Sequence, residues 1–236
     1  MQNKKTYIYG LKKGLPIALG YLSVSFGFGI TSVSLGLSGF EAILISMTNL
    51  TSAGQLAGVG VIVGMGSIFE MILTQLVINI RYCLMGLALT QKLDKSFNTI
   101  NRFLISFGIT DEVFAVSASE HGSLTNNYMY GLITLPYIGW SLGTALGAFA
   151  GQILPQSFCD ALGIAIYSMF VAIILPPSKK HKGILFTVLI ASLMSVMFYY
   201  VPYINQISQG FSVILCALVS AGLMAYLRPV KEDEND

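Results

Sequence analysis

Long apolar runs separated by short polar connections recur along the whole 236-residue chain. A helix needs about 20 mainly apolar residues to cross the hydrocarbon core of a bilayer. The pattern therefore predicts an all-α, polytopic membrane protein, with helical runs at 15–35, 41–64, 66–90, 103–118, 128–151, 157–175, 183–201 and 207–227. No stretch is left for a soluble domain, so we expect residues 1–236 to form a single integral membrane domain.

Composition supports this prediction and narrows the possible functions. Only 10% of the residues are charged, against about 25% in soluble domains. The chain contains neither a phosphate-binding loop nor a Cys/His ligand spacing, so we expect no cofactor, no metal site and no enzymatic activity. Three cysteines in or beside apolar runs, Cys83, Cys159 and Cys216, are interpreted as packing residues.

The basic residues predict the topology. All Lys and Arg except Arg81 fall in four clusters, at 4–13, 92–102, 179–182 and 228–231. Cytoplasmic loops of membrane proteins are enriched in Lys and Arg. We therefore expect a basic cytoplasmic N-terminus (1–13), a charged cytoplasmic tail (228–236) and residence in the plasma or inner cell membrane.

One cluster conflicts with a simple count of spans. If all eight runs cross the membrane, the basic loop 92–102 lies outside. If 41–64 and 103–118 are instead re-entrant hairpins that enter from opposite faces, this loop lies inside and six full spans remain. Each of the two runs carries a polar break, and paired broken elements of opposite orientation are typical of inverted-repeat transporters. The sequence contains no visible internal repeat, so both arrangements stay open.

The first break combines a flexible backbone with side-chain hydrogen-bonding groups: Thr51, Ser52, Gly54 and Gln55. A half-helix that begins here presents unpaired N–H groups and a partial positive charge. This arrangement suits a substrate carboxylate, and we predict that these residues bind substrate. The alternative is a packing kink.

The run 66–90 contains polar residues at helical spacing. Glu70 and Thr74 form one row on the helix, and Gln75 and Asn79 form a second. We predict that they line a transport path, with Glu70 and Asn79 binding substrate; the alternative is that they make interhelical hydrogen bonds. Arg81, near the end of the same run, either joins the substrate site or extends its side chain to the membrane surface.

Asp111 and Glu112 are adjacent acids within the second break, Gly108-Ile109-Thr110-Asp111-Glu112. In a low dielectric, adjacent like charges favour protonation of one partner. We predict that this pair binds a coupling proton or the substrate ammonium. Alternatively, the turn reaches water, or an acid forms a structural salt bridge with Arg81. We expect the two breaks to meet near the membrane midplane.

Small residues follow a helical spacing in the run 128–151. Gly143, Gly147 and Gly151 lie four apart, which is typical of close helix contact. Trp140 either anchors the helix at the membrane surface or packs against the same neighbouring helix.

Four segments together resemble the AzlC-type branched-chain amino acid permeases: "NIRYCLMGLAL" (79–89), "ITDEVFA" (109–115), "GWSLGTALGA" (139–148) and "SMFVAII" (168–174). The resemblance covers nearly the whole chain. It implies export of branched-chain amino acids together with a small membrane subunit of the AzlD type. It also assigns functional positions: Asn79 and Arg81 to an N-x-R motif, Thr110, Asp111 and Glu112 to a T-D-E motif, and Gln55 and Ala57 to an "AGxxQFA" break. Thr51, Ser52 and Leu56 depart from that last motif.

The sequence thus predicts the large subunit of a two-component, proton-coupled exporter of Leu, Ile or Val. The alternatives are a channel or importer for a different small amphipathic substrate, an intramembrane scaffold subunit and an intramembrane enzyme. The last lacks a nucleophile or metal constellation in the sequence.

Overall fold

A computed structural model describes residues 6–155, 157, 168, 171–172, 174–179 and 181–228. Its helices are α1 Tyr7–Ser34, α2 Gly39–Thr48, α3 Ala53–Val63, α4 Ile68–Thr90, α5 Thr99–Phe107, α6 Asp111–Ser119, α7 Asn126–Ile153, α8 Lys182–Tyr200 and α9 Gln209–Leu227, with a short 3-10 turn at Ile204–Gln206. The predicted run 157–175 falls largely outside the described residues, as do Cys159 and the tail from 229 onward.

The prediction of an all-α polytopic membrane protein is confirmed. Among the described residues, five helices are long and apolar enough to cross a membrane: α1, α4, α7, α8 and α9. The first of these begins at Tyr7, ahead of its apolar run, because the Thr6 side chain accepts a hydrogen bond from the Tyr9 N–H (3.3 Å) and caps the helix.

The chain divides into two compact units. The first comprises Met1–Leu56 and Asn79–Ile166, and the second comprises Ala57–Ile78 and Tyr167–Asp236. The expectation of one membrane domain concerns the complete chain and stays a prediction.

Close packing of the parallel helices α1 and α7 forms the centre of the first unit. A Cβ atom on Gly14 would lie 2.5 Å from the Leu132 carbonyl oxygen, and one on Gly139 would lie 2.5 Å from that of Ala18. Glycine is therefore required for the two backbones to approach this closely.

The predicted glycine stripe belongs to this contact. A Cβ on Gly143 or Gly147 would meet backbone carbonyls of α1, which confirms the packing interpretation of both; the surroundings of Gly151 are outside the description. Trp140 is 2% exposed, and its ring meets that of Tyr21 edge-on with centroids 5.2 Å apart. It packs against α1 and is not a surface anchor.

Helices α5 and α6 form a hairpin whose two ends lie on the same side. The Asp94 N–H donates to the Leu124 carbonyl (3.0 Å), and the Leu124 N–H donates to the Lys92 carbonyl (2.7 Å). The connections before α5 and after α6 are therefore bonded to each other. Each helix has nine residues, or about 14 Å, roughly half of a hydrocarbon core. This geometry favours the re-entrant alternative for 103–118.

The beginning of α1 lies beside the open end of this hairpin, where the two connections are bonded to each other. Glu120, at the end of α6, accepts from the Tyr9 hydroxyl (3.1 Å) and pairs with Lys13 (3.3 Å). The Lys92 ammonium donates to the carbonyls of Ala118 (2.5 Å) and Glu120 (2.7 Å). A cation at this position satisfies the last carbonyls of α6 and opposes its dipole.

Helix α2 approaches α7 from the opposite end. It begins shortly after α1 ends, and it reaches the middle of α7, where the Tyr137 hydroxyl donates to the Met47 carbonyl (3.1 Å). Helix α3 then leads to a tight turn before α4, in which the Gly66 N–H donates to the Val61 carbonyl (2.8 Å).

The order of one long helix followed by two half-length helices thus occurs twice, as α1–α2–α3 and α4–α5–α6. The part of α4 that lies in the first unit runs opposite to α1, because it ends at the α5–α6 connections, beside which α1 begins. A repeated order of helices with opposed long helices is a feature of inverted repeats, although no similarity in sequence accompanies it.

We predict that Gly14→Ala destabilises the protein and that Gly20→Ala does not. Both glycines lie in α1, but a Cβ on Gly20 would meet nothing within 4 Å. Overpacking costs about 1–3 kcal/mol, so the temperature at which half of the detergent-solubilised protein loses its monodisperse elution peak should fall for Gly14→Ala alone. Equal midpoints for the two variants would contradict the α1–α7 contact.

The hairpin geometry makes a second prediction. In a background with the native cysteines replaced, Lys95→Cys and His121→Cys should react with a membrane-impermeant maleimide from the same side, and Leu35→Cys from the other side. Vesicles of both orientations provide the comparison. Labelling of Lys95→Cys and His121→Cys from opposite sides would mean that α5–α6 crosses the membrane.

Candidate functional site

The first break exposes the beginning of α3. Ser52 has a left-handed backbone (φ 51°), and its carbonyl accepts the first helical hydrogen bond, from the Leu56 N–H (3.0 Å). The first turn of α3 contains no acidic residue, and Thr51, Ser52 and Ala53 are only partly buried. The partial positive charge of this helix end therefore has no counter-charge from the first turn itself.

Gln55 holds the break in place. Its side-chain Oε1 accepts from the Ser52 N–H (3.3 Å), and its Nε2 donates to Ser46 Oγ (3.0 Å). Ser46 Oγ lies 2.7 Å from Thr144 Oγ1 on α7. Since Gln55 is 1% exposed, its carboxamide acts here as a buried cap for α3.

Asn79 of α4 lies directly against the break. The two polar atoms of its side chain are 2.9 and 3.0 Å from the position that a Cβ of Gly54 would occupy. Thr51 crowds the same position, and its hydroxyl donates to Asn49 Oδ1 (2.7 Å). Glycine at position 54 is therefore what allows α4 to bring Asn79 to the start of α3.

The second break begins α6 and is charged. Thr110 is the N-cap, and its Oγ1 accepts from the Val113 N–H (3.4 Å). Asp111 and Glu112 form the first turn of α6, where carboxylates compensate the helix dipole. The two half-helices thus differ, because α6 supplies its own anions and α3 does not.

Arg81 links α4 to the second break. Its Nη2 lies 2.9 Å from Asp111 Oδ2 and donates to the Tyr82 hydroxyl (3.3 Å). Its Nε is buried and has no partner among the described residues. The structure thus shows the predicted alternative of a salt bridge, with Arg81 still 42% exposed. One positive and two negative charges leave this cluster with one excess acid.

Glu112 bonds to the scaffold helix α1. The Tyr21 hydroxyl donates to Glu112 and lies 2.6 Å from Thr110 Oγ1. Tyr21 is 7% exposed and is held by Trp140. A rigid aromatic donor therefore orients the second acid of the pair.

Tyr137 of α7 contacts both breaks. Its ring lies 6.0 Å from that of Phe107, the last residue of α5, and its hydroxyl donates to the carbonyl of Met47, near the end of α2. Asn79 and Arg81 on α4 likewise reach the two breaks. Within the first unit, the structure thus brings together the predicted site residues Thr51, Ser52, Gly54, Gln55, Asn79, Arg81, Asp111 and Glu112.

Glu70 belongs to the second unit. It is 4% exposed and accepts from Ser208 Oγ (2.5 Å) and from the Gly210 N–H (2.9 Å) at the start of α9. These are interhelical hydrogen bonds, the alternative predicted for this residue. Its assignment to substrate binding is a prediction that these contacts do not test.

Four contributors to the site were not anticipated from the sequence: Tyr21, Ser46, Tyr137 and Thr144. Each carries a hydroxyl within an apolar run, and a hydroxyl inside a membrane needs a hydrogen-bond partner. That signal was available, but the partners lie 89 to 98 residues away in the chain. Within the described ranges, no three His, Cys, Asp or Glu side chains converge as metal ligands would.

Comparison with known proteins places this chain in a family. The profile of the family described as "AzlC protein" matches residues 16–154, which include both breaks. The chain is 27% identical to the "Inner membrane protein YgaZ" of Escherichia coli (strain K12), over 94% of this chain and 91% of that protein. It is 34% identical to an "Uncharacterized membrane protein" of Archaeoglobus fulgidus, over 72% and 75%.

A third relative carries a functional name. The "Branched-chain amino acid transport protein AzlC" of Bacillus subtilis (strain 168) is 23% identical over 76% of this chain and 73% of that protein. No solved structure matches. Since the family profile covers more than half of the sequence, this chain belongs to the AzlC family of membrane proteins.

Proposed function

We propose that this protein transports amino acids across the cell membrane and exports Leu, Ile and Val as the large subunit of a two-component exporter. One observation carries the proposal. Two half-helices begin beside Asn79 and Arg81 of α4, and α6 begins with two acids while α3 begins with none. Such paired breaks recur in secondary transporters, where half-helix N-termini bind anionic substrate groups.

The start of α3 receives the substrate carboxylate in this proposal. Thr51, Ser52 and Ala53 are partly exposed. The Thr51 hydroxyl and the Ser52 N–H already donate to Asn49 and Gln55, so the Ser52 hydroxyl and the Ala53 N–H are the donors for the carboxylate, and the helix dipole favours an anion there. Gln55, whose carboxamide is occupied by Ser46 and Ser52, orders this turn.

The acidic cluster receives the ammonium or a coupling proton. Asp111 is paired with Arg81 (2.9 Å), so the excess negative charge resides on Glu112. The neighbouring Tyr21 hydroxyl keeps Glu112 oriented. A site with one excess acid and one helix end whose first turn contains no acid complements a zwitterion.

The apolar surroundings suit a branched aliphatic side chain. Leu50, Ile105 and Val113 are buried within or beside the two breaks, and burial of an aliphatic group needs no polar partner. The printed name of the Bacillus subtilis relative supports this substrate class. Export, and a small AzlD-type subunit, are what the family resemblance implies.

Counterflow in proteoliposomes tests the function. We expect radiolabelled leucine to accumulate transiently in vesicles preloaded with unlabelled leucine, isoleucine or valine, and not in vesicles preloaded with lysine. The measurement is made with and without the small subunit. Absence of counterflow for every amino acid in both preparations contradicts the proposal, and a non-saturable flux indicates a channel.

A charge series tests the acidic cluster. Glu112→Gln should lower the transport rate roughly tenfold or more, because it removes the excess charge and weakens a charged hydrogen bond. Asp111→Asn should be similarly impaired, since it leaves Arg81 unpaired. The double variant Arg81→Gln with Asp111→Asn restores one excess acid and should transport faster than Asp111→Asn.

Asp94→Asn is the matched control, because Asp94 lies in the connection before α5 and contacts Ser96. It should retain the wild-type rate. Wild-type transport by both Glu112→Gln and Asp111→Asn would remove the acids from the mechanism.

A further inference from the structure

A buried chain of hydrogen bonds connects the scaffold helix α7 to the first break. It runs from Thr144 Oγ1 to Ser46 Oγ (2.7 Å), from Ser46 to Gln55 Nε2 (3.0 Å), and from Gln55 Oε1 to the Ser52 N–H (3.3 Å). Thr144 and Ser46 are 0% exposed, and Gln55 is 1% exposed. Three helices, α7, α2 and α3, thus meet through side chains that water does not reach.

This chain of hydrogen bonds has a defined direction. The Ser52 N–H is a donor and must face the carboxamide oxygen of Gln55, so the Gln55 amino group faces Ser46. Ser46 Oγ then accepts from Gln55 and shares one hydrogen with Thr144. Reversing the carboxamide would place two donors against each other at Ser52, so the buried network specifies one arrangement.

We propose that Ser46 and Thr144 are positioning residues for substrate binding, because they hold Gln55 and thereby fix the first turn of α3. This inference rests on the proposed function, in which that turn receives the substrate carboxylate. Neither side chain needs to touch the substrate.

The left-handed backbone of Ser52 explains why such support is needed. A non-glycine residue at φ 51° is strained, and such a conformation persists only where its surroundings hold it. Gln55 provides that hold, and Gln55 is in turn anchored by Ser46 and Thr144. Loss of the Thr144 hydroxyl therefore weakens the order of a turn that Thr144 itself does not contact.

The test compares Thr144→Val, which replaces the hydroxyl with a methyl group, with Thr144→Ser, which keeps the hydroxyl. Ser141→Ala is the control on the same helix, because the buried Ser141 hydroxyl has no partner among the described residues. The substrate concentration at half-maximal leucine counterflow should rise roughly tenfold in Thr144→Val, with a smaller change in the maximal rate. Thr144→Ser and Ser141→Ala should match the wild type.

A second readout does not depend on transport. With Ala53→Cys in a background lacking the native cysteines, Thr144→Val should change the rate of maleimide labelling at position 53 severalfold, and Thr144→Ser should not. If Thr144→Val does not yield monodisperse protein, Ser46→Ala replaces it. We expect the same rise in the half-saturating substrate concentration and the same change in the labelling rate at position 53.

The outcomes separate the two proposals. If Thr144→Val alters labelling at position 53 but the protein transports no amino acid, the proposed function is overturned. The role of the hydrogen-bond chain in ordering the first break is then preserved. Unchanged labelling and unchanged half-saturation in Thr144→Val, or equal defects in Thr144→Val and Thr144→Ser, would overturn the positioning role.

Discussion

A helix that ends halfway through a membrane must find partners for the polar groups that it exposes, and this constraint organises the first unit. No water is available in the hydrocarbon region to satisfy them. At the α2–α3 break, Gln55 accepts the Ser52 N–H and is anchored through Ser46 to α7. At the α5–α6 break, Thr110 caps α6 and Arg81 pairs with Asp111. Each break is therefore satisfied by a side chain of its own half-helix together with partners on other helices, which is why the two lie against α4 and α7.

The two breaks meet the constraint with different chemistry, and the difference suggests a function. The start of α6 carries its own carboxylates, whereas the start of α3 contains no acid in its first turn. One end is thus suited to a positive group and the other to a negative group. An amino acid backbone carries both, and this complementarity is the physical basis of the proposed transport.

A rigid frame holds these elements. Glycines allow α1 and α7 to pack backbone to backbone, and the half-helices attach to this pair: α6 through Tyr21, α2 through Met47 and Ser46. Lys92 fastens the open end of the α5–α6 hairpin, because it donates to the last carbonyls of α6. Within the first unit, α2 and the α5–α6 hairpin therefore approach this scaffold from opposite ends.

The sequence by itself determined the helical class, the positions of both breaks and which charged residues lie within apolar runs. Each of these features is visible in a short stretch of sequence, because it depends on apolar runs, glycines and ionisable residues that are close together in the chain. It left open whether the hairpins cross, whether Arg81 pairs with an acid, and which role Glu70 has. Only the tertiary structure decided that Asp94 and Leu124 bond across the hairpin ends and that Thr144 supports Gln55 through Ser46. These contacts join residues that are far apart in the chain. A local sequence pattern predicts that a buried polar group needs a partner, but it does not identify the residue that supplies the partner.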